Sequence, residues 1–135
     1  MNWPEITHSA LRIAAGLFFF PHGAQKVFGL WGRDPVNLAS QIGFGGLIEL
    51  IGGLMILVGF KTRWAAFLCS GTMAVAFWQM HVPEAVGKLG FPHGLHPLLN
   101  GGELAALFCF VFLFLWGNGG GSFSVDAWLA RRGKR

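Results

Sequence analysis

Residues 43–60 read GFGGLIELIGGLMILVGF, and this stretch decides the architecture. Glu49 is its only charged residue. The run approaches the roughly 20 residues that cross a bilayer's hydrocarbon core as a helix. A carboxylate at membrane depth is costly, so it faces a bundle interior and marks a site. Three further apolar segments accompany it: residues 7–30, 64–81 and 99–117. The last is apolar throughout from Leu104 to Trp116. The first is the weakest, because its second half carries His22, Gln25 and Lys26 and must be covered by other helices. Only helices satisfy the backbone in lipid without closing a barrel. The expected fold is all-α: an integral membrane four-helix bundle with short outer interfacial helices, one domain over residues 1–135.

Composition agrees. Hydrophobic residues make up 53% of the 135-residue chain and charged residues 12%, against about a quarter charged in soluble domains. There are 14 Phe, no Tyr and 21 Gly, and glycine is frequent where membrane helices pack closely. The net charge of +4 does not argue for nucleic acid, which would need a basic face on a soluble domain. Much of it sits in the tail, at Arg131, Arg132, Lys134 and Arg135. There it reads as an anchor on an anionic cytoplasmic leaflet. A cleaved signal peptide is not expected, because no Lys or Arg precedes the first apolar run and Arg12 interrupts it. Cys69 and Cys109 lie in apolar spans without metal or CxxC spacing, and read as small core residues.

The link Lys61-Thr62-Arg63 is too short for anything but an antiparallel hairpin. Four spans put both termini and this link on one side, with most of the basic charge, which the positive-inside rule makes cytoplasmic. The outer loops are then residues 31–42 and 82–98. Asp34-Pro35 is a good helix start and predicts a short interfacial helix in the first loop. Gly117 to Gly121 should break the last span, and Ser124 should cap a surface helix carrying Trp128 as an interface anchor.

This orientation collects the polar side chains in the outer half of the bundle. His22 and Lys26 are four apart on one helix, and Glu49 lies about two turns deep. His81 ends the third span, and Asn100 and Glu103 begin the fourth. The candidate catalytic groups are Glu49, Glu103, His22 and Lys26, and the candidate cofactor-binding groups are His81 and Asn100. Such a layer within apolar, Phe-rich walls would suit a quinone head group and the movement of its protons. No metal is expected, since di-iron bundles need two Glu-x-x-His motifs on separate helices and this set does not occur. Each residue also has a plainer reading. Asn100 and Glu103 form a potential capping box. Lys26 could snorkel to the outer interface, which is favoured over catalysis, and Arg12 to the inner head groups. A Lys26–Glu49 or Lys26–Glu103 pair could be structural. His81 could be an interface residue, and His93 and His96 read as solvated.

The pattern resembles the DoxX family of small bacterial membrane proteins. The resemblance rests on Arg12, on Pro21-His22-Gly23-Ala24-Gln25-Lys26 with Gly29, and on Glu49-Leu50-Ile51-Gly52-Gly53. It continues through Gly59-Phe60, Thr62-Arg63, Ala65-Ala66, Met73, Ala76 and His81. It closes with Asn100-Gly101-Gly102-Glu103-Leu104-Ala105, Gly117, Gly119 and Ser124-Val125-Asp126. The family implies four transmembrane helices in a bacterial inner membrane. It also implies kinship with the DoxD subunit of an archaeal thiosulfate:quinone oxidoreductase. The expected role is therefore a small subunit of a membrane redox system, with a membrane-bound or periplasmic redox partner. The alternative is a membrane chaperone or scaffold without chemistry, as for distant eukaryotic relatives. A solute transporter ranks third, because broken repeated helices are missing.

Overall fold

The computed structural model describes residues 2–134, so the tail's Arg135 lies outside the described residues. The described chain is helical throughout its regular structure. Helix α1 spans Trp3–Phe28, α2 Gln41–Val58 and α3 Thr62–Ala76. A single π turn, Phe77–His81, leads without a break into α4, Val82–Leu89. After a 3₁₀ turn come the short α5, Pro97–Asn100, then α6, Glu103–Asn118, and α7, Val125–Arg132. Two helices are long and apolar enough to cross a membrane: Gln41–Val58 and the continuous Thr62–Leu89; α6 is apolar but shorter.

The long helices pack as two antiparallel pairs, α1 on α2 and α3 on α6, joined through α2 and α3. Glycines set the first contact. A Cβ on Gly16 would lie 2.5 Å from the Leu57 backbone, one on Gly53 2.7 Å from Phe20 Cβ, and one on Gly23 would strike the Leu50 backbone. Backbones this close gain dispersion contacts that larger side chains would forbid. Phe19 of α1 then bridges the pairs, its ring tilted against Phe108 and edge-on to Phe112 of α6 with centroids 5.1 and 4.6 Å apart. Ile56, Ala66, Cys69 and Leu115 complete a core closed to solvent. The outside is apolar: Phe18, Phe44, Leu107 and Phe110 are among the many large side chains left exposed. A surface this apolar needs something other than water to cover it.

Both termini and the α2–α3 link share one end, the terminal end; the opposite one is the loop end. The terminal end is a polar knot, and Arg12 is its centre. Arg12 does not snorkel to head groups as the sequence suggested. It is 1% exposed. Its Nε donates to Gly120 O at 2.8 Å, Nη1 to Ile56 O at 2.8 Å and to Leu57 O, and Nη2 to Phe123 O at 2.6 Å. The guanidinium thus caps the C-terminus of α2, where a cation meets the dipole's negative end, and clamps the glycine turn that follows α6. Gly59 ends α2 in the left-handed region at φ 73°, and a Cβ there would collide with Ser124. Asp126 of α7 accepts from Lys61 N at 2.7 Å, Thr62 N at 2.9 Å and Thr62 Oγ1 at 2.8 Å, capping α3. Arg63 caps α6 through Trp116 O and Gly117 O. Ser124 caps α7 by accepting from Ala127 N at 3.1 Å, and Trp128 is exposed on that helix, as the sequence predicted.

The loop end differs from expectation. No helix starts at Asp34-Pro35. That segment is extended because its groups serve α1 and α2 instead. Val36 N donates to Lys26 O at 2.9 Å, and Pro35 packs on Gly29, the left-handed cap of α1 at φ 66°. The cap that starts a helix is Ser40, whose Oγ accepts from Gly43 N at 3.0 Å. The third span, in turn, does not stop at His81. The π turn ends two residues before Pro83, whose missing N–H removes one rung of the helical ladder. Val82 N donates to Phe77 O across the wider turn, and the helix continues to Leu89. The expected capping box at the start of α6 does not form either. Gly101 is left-handed, so Asn100 Oδ1 accepts from Gly102 N at 2.7 Å in a tight turn, and Glu103 is itself the first residue of the helix.

Candidate functional site

Lys26 and Glu49 meet between α1 and α2. Gly46 makes the approach available: a Cβ there would lie 2.9 Å from Lys26 Cβ. Helical side chains lean toward their own N-terminus. Lys26, near the end of α1, therefore points into the bundle rather than out to the interface, which corrects the snorkelling expected of it. Its Nζ lies 2.6 Å from Glu49 Oε1 and 2.7 Å from Oε2. The Glu49 side chain is 3% exposed and that of Lys26 22%. Both carboxylate oxygens are held by one ammonium, which spends two of its three donors on them.

This pair lies on the floor of a cavity of about 670 Å³ between α2 and α3. The walls are apolar, built from Phe44, Ile48, Phe67, Leu68, Val75 and Leu113 among others. Arg33 and Gln41 stand at its loop end. Gln41 Nε2 donates to Gln79 Oε1, which ties the start of α2 to the π turn. The volume falls within the roughly 300–1,000 Å³ of small-molecule sites, and a few polar groups in apolar walls is their usual chemistry. Arg33 and Gln41 were not singled out from the sequence. Arg33 sits in a loop without a motif, and only its charge was legible.

The six candidate residues do not share one cavity. Lys26 and Glu49 line the large groove; His81 and Asn100 line a separate pocket of about 210 Å³ with Glu84 and Lys88. There His81 Nδ1 lies 3.3 Å from Asn100 O, and Asn100 Nδ2 donates to Gly94 O at 3.2 Å. His22 and Glu103 are exposed and, among the described residues, make no side-chain hydrogen bond. The sequence placed these side chains at one level, and level says nothing about which face of a helix a side chain occupies. Among the described residues, no three His, Cys, Asp or Glu side chains gather as a metal site. Cys69 is buried with its Sγ 3.8 Å from Ile48 O, and Ser70 Oγ donates to Cys109 O at 2.8 Å.

The DoxX family model matches residues 8–82, which takes in Arg12, Lys26, Glu49 and the α2–α3 link. The chain belongs to the DoxX family. A protein of Haemophilus influenzae is 33% identical over 86% of this chain and 85% of its own length. A Bacillus subtilis protein named "Putative oxidoreductase CatD" is 31% identical over 80% of this chain and 89% of its own. "Uncharacterized membrane protein Rv3486" of Mycobacterium tuberculosis is 27% identical over 97% and 90%. No solved structure matches the chain. Family and relatives make this DoxX protein a membrane protein, and its exposed Phe and Leu are then in contact with lipid.

Proposed function

We propose that this DoxX protein is a small subunit of a membrane redox system, and that its groove holds a lipid-soluble ligand such as a quinone at Lys26–Glu49. One observation carries the reading: a buried ion pair on the floor of an apolar cavity of about 670 Å³. Burying an ion pair is seldom a gain in stability, so its retention calls for another reason, and adjacent open volume supplies one. The third N–H of Lys26 is the donor for a ligand carbonyl oxygen. Glu49 is the carboxylate through which a proton passes to the same oxygen. The electrons come from a partner protein. The oxidoreductase name carried by the Bacillus subtilis relative supports this class.

In this reading four helices cross the inner membrane, α1, α2, α3 and α6, with both termini cytoplasmic. Lys61, Arg63, Arg131, Arg132 and Lys134 lie at the terminal end, which supports that orientation. In cells whose protein lacks Cys69 and Cys109, Arg33→Cys should react with an impermeant maleimide from outside and Lys134→Cys should not. The reverse pattern sinks the orientation.

The ligand reading is tested on purified protein. A lipid extract should contain quinone, and added quinone should bind the wild type and lose affinity in Glu49→Gln. Unchanged quinone affinity in that variant defeats the proposal. A second reading, a chaperone or scaffold, is favoured by one fact: both Glu49 oxygens are already satisfied by Lys26. It is preferred if the protein binds no quinone but co-purifies stoichiometrically with one membrane enzyme.

A further inference from the structure

The charges lining the groove do not cancel. Lys26 and Arg33 are cationic, Glu49 is anionic, and every other lining side chain is uncharged. Two cations against one carboxylate leave a net charge of +1. The two carboxylate ion pairs among the described residues join Lys26 to Glu49 and Lys88 to Glu84. Arg33 is in neither, and among the described residues its guanidinium donates no side-chain hydrogen bond. Asp34 is next in the chain but does not line the groove. Five N–H donors in a planar fork, suited to a carboxylate or phosphate, are thus unspent at the mouth of an apolar cavity.

Position adds direction to charge. Arg33 and Gln41 lie at the loop end, while Phe67 and Leu113 lie toward the terminal end. From Met80 to Phe67 the groove follows the π turn and α3 for roughly 20 Å. One end is cationic and hydrogen-bonding; the remainder is largely hydrocarbon, with the Lys26–Glu49 pair and the hydroxyls of Ser70 and Thr72, which donate to Cys109 O and Leu68 O. Its long axis follows the helices, so it parallels the acyl chains of a surrounding bilayer.

We infer that the groove takes a single-chain amphiphile with an anionic head, a long-chain carboxylate, its head between Arg33 and Lys26 and its chain along α2 and α3. This rests on the reading that a lipid-soluble ligand occupies the groove, but it names a charged head where a neutral quinone would leave Arg33 unmatched. The carboxylate accepts from the Arg33 fork and from the free N–H of Lys26. The chain covers Phe44, Ile48, Phe67 and Val75.

The test is equilibrium binding of radiolabelled oleate and of methyl oleate to the protein in phosphatidylcholine nanodiscs. The two probes share a chain and differ in head charge. Oleate should bind about tenfold more tightly, the worth of one charge-assisted hydrogen bond. Arg33→Gln should lower oleate affinity several-fold, toward that of the methyl ester, and leave the ester unchanged. Arg33 is exposed on a loop, so this variant should keep the wild-type unfolding temperature. Equal affinity for the two probes, or an oleate affinity indifferent to Arg33→Gln, overturns the inference. Menaquinone binding in the same discs separates the two readings. Quinone bound without any preference for oleate over its ester removes the anionic head and leaves the redox proposal standing. Neither ligand bound by the wild type removes both.

Discussion

Two buried charged clusters stand at opposite halves of this bundle and differ in what satisfies them. At the terminal end, Arg12 gives its donors to backbone carbonyls of Gly120, Ile56, Leu57 and Phe123, and is 1% exposed. Nearer the loop end, Lys26 and Glu49 satisfy each other through side chains beside a cavity of about 670 Å³. A charge whose partners are all backbone is bound to the geometry of the chain and cannot release them without unfolding it. A charge held by another side chain can exchange partners by rotamer changes. Burial alone therefore does not separate a structural charge from a functional one; the nature of the partner does.

The largest effect should come from Arg12. Arg12→Ala removes the guanidinium donors from four carbonyls in two segments, at about 1–3 kcal/mol for each buried group left unpaired. The protein should fail to accumulate or should unfold well below the wild type in detergent. Arg12→Lys keeps the charge but lacks the fork, and should recover only part of the loss. A wild-type unfolding temperature for Arg12→Ala would break the comparison at its structural end.

Next is Gly23, where a side chain would meet the Leu50 backbone and Gly46 O. Gly23→Val should force α1 from α2 and cost about 1–3 kcal/mol as overpacking. It should also weaken ligand binding at Lys26–Glu49, because Lys26 is carried on α1 one turn away. Loss of stability with ligand affinity intact would show that the pair does not depend on this helix contact.

Glu49 comes third for stability and first for function. Lys26 is part-exposed and can turn toward the mouth of the groove, so Glu49→Gln should lower stability by about 1 kcal/mol while abolishing function in a complementation assay. Glu49→Leu should disturb packing as well. Full activity in both variants would make the pair a bystander and erase the contrast with Arg12. Smallest of all is Glu84→Gln at the exposed Glu84–Lys88 pair. Exposed i,i+4 pairs contribute little, and the unfolding midpoint should not move beyond experimental error. A measurable fall there would mean that the small pocket at His81 is more tightly built than its exposure suggests.

Much of the fold was legible because membrane helices announce themselves by apolar length. The end of α2, the glycine break after α6 and the Ser124 cap were all readable from local pattern. So was the inward burial of Glu49. The errors share a cause. Asp34-Pro35 is a sound helix start in isolation, but Val36 N is spent on capping α1. His81 looked like an end because the apolar run stops there, yet a π turn carries the helix through Pro83. Arg12 looked like a snorkelling residue, since sequence cannot show that a glycine turn more than a hundred residues later folds back over it.

By itself the sequence determined an all-helical DoxX chain, the antiparallel pairing of α2 with α3, and a carboxylate buried within an apolar helix. These follow from hydrophobic length, a short link and the cost of burying charge, all of which are local quantities. Only the tertiary structure decided that Lys26 turns inward to Glu49, that His22 and Glu103 face outward, and that Arg33 overlooks an apolar groove. Those outcomes depend on the rotation of each helix about its axis. That rotation is set by which glycines meet which backbones across an interface, a condition on pairs of distant residues that no single segment contains.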